Sequence, residues 1–187
     1  MTRHLTNVIG FDDAPFPRAH RGDVLLVGTV CARTRLDGVL SGRVRRDGAN
    51  AARSMIAMVR ASQFVGHIRA VLLQGIAVAG FNVVDVHALA EGLSLPVLVV
   101  MRRRPDMPSI ERALAARPGG ARKWALVQAA GEIEALHDVH VQRVGLTRAE
   151  ASELLTATTL HGNLPEPLRL AHLIAGGVTT GRSRGRA

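Results

Sequence analysis

Two apolar runs, residues 68–73 and 95–101, most constrain the fold of this 187-residue chain. Each reads as a strand buried on both faces, and such strands need helices covering both sides of their sheet. Three strands precede them, antiparallel and close in sequence: a run ending at Phe11, then residues 24–30 and 36–44. From Asn50 the period changes, with Met55, Ile56, Met58 and Val59 at helical spacing. Residues 75–80 read as a loop, 83–89 as a short helix and 109–116 as a helix stopped by Pro118-Gly119-Gly120. Residues 124–129 and 139–144 are expected to pair as strands. Thr147-Arg148-Ala149-Glu150 is a capping box that opens a helix over 147–157, and Pro165-Glu166-Pro167 opens a last helix to about Ala175.

An antiparallel meander followed by βαβ units, with helices on both faces of a mixed central sheet, is the element order of ribonuclease H-like α/β proteins. As a fold-level analogy it does not by itself assign an activity. The length and the absence of a linker predict one domain over residues 1–180, followed by a loose basic tail at 181–187. No apolar stretch reaches the ~20 residues of a membrane span, and the N-terminus lacks a leader pattern, so a cytoplasmic protein is expected. Cys31, the lone cysteine, lies in an apolar run and reads as a small core residue.

Charge narrows the partners. The net charge is +9, and Lys123 is the only lysine among the cations. That balance favours a polyanion such as DNA or RNA. A GC-rich coding bias raises arginine in the same way. With no tyrosine and 3% aromatics, few rings are available to stack bases, so backbone contact is favoured over base readout.

The chemical candidates are carboxylates at strand ends. Asp12 and Asp13 close the first strand, where neighbouring carboxylates can ligate a hard cation; they also suit a turn before Pro15 and Pro17. Asp47, in Asp47-Gly48, ends the third strand and either projects toward Asp12 or simply makes a turn. Gly75 and Gly80 let a ligand approach the backbone after a buried strand. Asn82 and Asp85 fit an N-cap and its third helical position, and Arg102, Arg103 and Arg104 follow another strand, as a phosphate clamp or a solvated loop. His172 and Arg169 share a face of the last helix, where Arg169 can pair with Glu166 and His172 reads as a core or rim residue.

Five segments together resemble the endonuclease dU family: Gly10-Phe11-Asp12-Asp13, Asp47-Gly48, the run from Ala79 to Asp85, Pro96-Val97-Leu98-Val99-Val100, and the ending from Pro165 to Ala175. The family looks like a relative of endonuclease V with a ribonuclease H-like fold. The resemblance implies a nuclease that nicks DNA carrying deoxyuridine or other deaminated bases, acting with Mg²⁺ or Mn²⁺. It implies metal ligands at Asp12, with Asp13 beside it, at Asp47, and at or near Gln74, with Asp85 in support. Gly75, Gly80, Asn82 and Arg102 to Arg104 would meet the nucleic acid. Gln74 stands where the resemblance implies an acid, and Asn50-Ala51-Ala52 where the family pattern has Asp-x-Thr. Two further readings follow: a nucleic-acid-binding protein on this fold that does not cut, and an enzyme that takes a phosphorylated small molecule in the 75–85 segment.

Overall fold

The computed structural model describes residues 5–183. Seven strands form one mixed sheet in the order β3-β2-β1-β4-β7-β9-β8. β1 (Asn7–Asp13), β2 (Asp23–Ala32) and β3 (Arg35–Arg45) form the expected antiparallel meander. β4 (Ala70–Gln74) and β7 (Val97–Met101) add in parallel to β1, as their double-sided burial requires. β9 (Val139–Val144) runs antiparallel to β7, with β8 (Glu134–Leu136) at the edge. Among the described residues no helix is long and apolar enough to cross a membrane.

Strand alternation divides the core between the faces. Ile9, Phe11, Val71, Leu73, Val97 and Val99 pack with Met55 and Val59 of α1 (Ala51–Arg60) and Leu89 of α2 (Val86–Leu93). Val8, Leu72, Leu98 and Val100 pack with Leu154 and Leu155 of α5 (Arg148–Thr158) and Leu168 of α6 (Glu166–Thr180). A third cluster lies under α3 (Met107–Ala115) and α4 (Gly120–Ala129), beside a two-rung hairpin of β5 (Ala77–Val78) and β6 (Asn82–Val83).

Several local expectations are corrected. β1 runs through Asp12 and Asp13, which pair with Val27 and Leu26 and therefore do not begin a turn. Residues 124–129 are helical, and the true partner of β9 is β8. Buried Lys123, Val127 and Ala130 follow a period that the six-residue window conceals. α3 closes at its C-cap Ala116, and Gly119-Gly120 opens α4: Gly119 is the N-cap at φ 69°, and a Cβ on Gly120 would lie 1.8 Å from the Leu114 carbonyl oxygen. The 75–80 loop carries the hairpin strand β5, and α6 runs five residues beyond Ala175. The capping box at Thr147 and Glu150 forms as expected. The expected tail lies, from residue 184 on, outside the described residues.

Candidate active site at the C-terminal edge of the sheet

α6 crosses β1 and β2 at unusually close range. A Cβ on Gly10 would sit 2.6 Å from the Pro167 carbonyl carbon, so glycine permits the approach. Thr29 Oγ1, fully buried on β2, donates to the Pro167 carbonyl at 2.5 Å and fixes the start of the helix. Glu166, also buried, accepts two hydrogen bonds from Arg169 at 2.8 and 2.6 Å. Two turns from Pro165, this seating brings His172 over the end of β1.

His172 Nδ1 lies 2.8 Å from Asp12 Oδ2, and the Asp13 N–H donates to Asp12 Oδ1 at 3.0 Å. Burial pushes the Asp12 carboxyl upward, against the pull of the His172 hydrogen bond and charge. Asp13 points to the opposite face of the strand and accepts from the backbone of Ala79; burial, then the Asp12 charge, raise its carboxyl to about 6. Gln74 ends β4 one residue beyond the paired position Phe11–Leu73, on the same face as Asp12. Its Oε1 is buried with no hydrogen-bond partner among the described residues. Such an atom needs a partner.

Asp12, Asp13 and Gln74 thus meet at one edge of the sheet. Arg102, Arg103 and Arg104, all exposed, follow β7 at that same edge. The remaining expected ligands are held by other partners. Asp47 Oδ1 accepts from the Phe81 N–H at 2.9 Å, and Oδ2 pairs with Arg46 and Arg117 at 3.4 and 3.6 Å. Asp85 is itself the N-cap of α2, accepting from the Ala88 N–H at 2.9 Å. Asn82 is no cap. Fully buried, it donates to the Arg45 carbonyl and to Asn50 Oδ1 and accepts from the Ala51 N–H, which seats the start of α1 and leaves nothing for a ligand. Gly75 and Gly80, at φ 77° and 83°, line an apolar cavity of about 280 Å³ with Phe81, Met107, Ile110 and Gln142. Among the described residues no three His, Cys, Asp or Glu side chains are arranged to hold a metal.

What sequence reasoning missed is the pairing of His172 with Asp12. Its signal is the spacing Glu166, Arg169, His172 on one helical face, which suits a core or rim residue, since nothing in sequence places that face over Asp12.

An oxygen-rich set still suits a hard divalent cation. Mg²⁺ keeps several waters and takes few protein ligands, and one carboxylate, one unpartnered amide oxygen and a histidine supporting the carboxylate match that habit.

Comparison with known proteins agrees with this architecture. A UPF0215 protein of Deinococcus radiodurans is 55% identical over 183 residues, covering 97% of this chain and 93% of its own length. The crystal structure of a protein of unknown function from Archaeoglobus fulgidus superposes with a TM-score of 0.88 at 35% identity, over 94% of this chain and 99% of that one. Ciona intestinalis endonuclease V, solved with a 24mer DNA containing an inosine followed by a ribo-adenosine, shares the fold at TM-score 0.57 and 12% identity, over 90% and 83% of the two chains. With the Endonuclease dU family model matching residues 4–179, and a relative 55% identical over nearly the whole length, the chain belongs to the Endonuclease dU family.

Proposed function

We propose that this protein is a Mg²⁺-dependent endonuclease that nicks DNA carrying deoxyuridine or another deaminated base. The observation that carries the reading is the 2.8 Å pairing of His172 with Asp12 at the sheet edge, beside Asp13 and the orphaned Gln74 oxygen. Family membership supports the same reading, and Mn²⁺ suits the same donors.

Asp12 and Gln74 Oε1 would hold the ion, with Asp13 adding negative charge. Asp47 is left out because Arg46 and Arg117 already balance its charge, and Asp85 because it caps α2. When bound, the ion supplies an activated water and neutralises charge on the phosphate. The chain's own residues do the rest. Asp12 orients the His172 ring through Nδ1, which leaves Nε2 to take or give a proton during phosphodiester hydrolysis. The His172 side chain is 32% exposed, enough to meet both substrate and solvent. Arg102 to Arg104 would hold the strand backbone, and the cavity at Gly75 and Gly80 would receive a base turned out of the stack.

The test is nicking of a labelled deoxyuridine oligonucleotide with and without Mg²⁺. Asp12→Asn is expected to lose at least 100-fold in rate while keeping the wild-type far-ultraviolet dichroism. Undiminished cutting by that variant overturns the assignment. One observation favours a second reading: the amide at Gln74 where the family resemblance implies an acid. Salt-sensitive DNA binding by wild-type protein, with no metal-dependent cutting, would establish a binding protein on this fold.

A further inference from the structure

Lys123, the chain's single lysine, is only 6% exposed on α4. Its Nζ donates to the backbone carbonyl of Asp47 at 2.5 Å, which satisfies one of three ammonium protons. Among the described residues it makes no direct ion pair; the nearby Asp47 carboxylate is in contact with Arg46 and Arg117 instead. Burial pulls the Lys123 ammonium down from its ordinary value, against the attraction of the Asp47 charge, and two of its protons are left for a ligand.

Lys123 also lines an open cleft of about 570 Å³ between α1, α2 and α4. Arg53 and Arg122 stand exposed at its edge, and Ile56, Val83 and Leu126 give it an apolar wall. Of the two carboxylates that line it, Asp47 is balanced by Arg46 and Arg117 and Asp85 caps α2, against the three cations Arg53, Arg122 and Lys123. At the mouth, α4 begins at Gly119 with no side chain capping its first turn. The volume lies within the range of small-ligand sites.

We propose that this cleft is a nucleotide phosphate subsite, with the phosphate on Lys123 and Arg122 and the base against Ile56, Val83 and Leu126. It is separate from the Asp12 site but tied to it. The Asp47 N–H donates to the Ala79 carbonyl at 2.9 Å, and the Ala79 backbone in turn meets the Asp13 carboxylate. The phosphate belongs either to a DNA strand leading toward Asp13 or to a free nucleotide. The strand form rests on the nuclease reading; the site itself does not.

The test is calorimetric titration at low salt without divalent cation, using dAMP and a single-stranded 12-nucleotide DNA as probes. Wild type, Lys123→Met and Arg122→Ala are compared, with folding checked by circular dichroism. At least one probe is expected to bind wild type, with affinity falling tenfold or more in Lys123→Met and several-fold in Arg122→Ala. Binding of dAMP alone assigns a free nucleotide, and binding of the 12-mer assigns a strand phosphate. Equal affinity across the three proteins, or no binding of either probe, overturns the proposal. Should Lys123→Met fail to fold, the exposed Arg122 decides the matter alone. Because no metal is present and no bond is cut, this outcome is independent of the Asp12→Asn nicking test.

Discussion

Asp13 is a carboxylate whose environment works against its own charge. Burial and the adjacent Asp12 raise its carboxyl to about 6 from an ordinary 3.8. The folded state therefore binds a proton that the unfolded chain has already lost, and between roughly pH 4 and pH 6 stability falls as pH rises. Without metal the penalty is complete above pH 6, on the order of 3 kcal/mol. Asp13→Asn is thus expected to be more stable than wild type at pH 7 by about 1–3 kcal/mol and no more stable at pH 4, as read by urea denaturation at the two pH values. A ligand cation would reverse the penalty, so affinity for Mg²⁺ should climb through the same window. Equal stability gains at both pH values would mean that the charge on Asp13 is not what the fold opposes. Asp12 and Asp13 were legible in sequence because they close an apolar run. Asn82 and Asp85 were only half legible: the Asn-x-x-Asp spacing suggested a cap, yet Asp85 alone caps α2 while Asn82 is spent on α1, a partner 31 residues away.

The element that assembles the site is α6, and its placement rests on a glycine in another element. The Gly10 approach to Pro167 is to backbone, which cannot rotate aside as a flexible side chain would. Gly10→Ala should push the helix off the sheet, destabilise the protein by about 2–3 kcal/mol and lower Tm by on the order of 5–10 °C. Any activity should fall further than stability does, because the same shift withdraws His172 from Asp12. Gly177→Ala is the matched control: nothing lies within 4 Å of a Cβ there, and alanine in a helix interior is expected to gain about 0.5–1 kcal/mol. If Gly10→Ala melted with wild type, the close contact would not be what positions α6. The meander and both parallel strands were legible because their burial dictates long runs of β-branched and apolar residues. α4 was not. Its larger apolar residues are diluted by Ala121, Arg122 and Ala125, and the Gly119-Gly120 pair that signals a helix end stands at a helix start. Which helix lies over Asp12 was equally hidden, since α6 and β1 are separated by almost the whole chain and only tertiary packing joins them.

On the scale of the whole molecule, the sheet concentrates chemistry at one edge. β1 and β4 deliver Asp12, Asp13 and Gln74 there, and β7 delivers Arg102, Arg103 and Arg104, because the parallel strands end on the same side. The net charge of +9 is spread over the chain, so attraction to DNA alone does not reveal where a strand lies. Salt dependence separates the two contributions. Each phosphate neutralised by a cation adds about 0.7 to the slope of log affinity against log salt for a single strand and about 0.9 for a duplex. Replacing Arg102, Arg103 and Arg104 together with alanine removes three exposed groups that make no ion pair among the described residues, so folding should be unchanged. If all three touch phosphates, the slope should fall by about 2–3, with binding weakened at 50 mM salt far more than at 300 mM. A slope that falls by less than about 1 would mean that diffuse charge, not this edge, holds the strand, and the strand would then have to reach Asp12 from another side. The same titration on Arg122→Ala shows whether the second cleft lies on that path: a fall of about 0.7 in slope for single-stranded DNA, additive with the triple replacement, places both arginine groups on one strand.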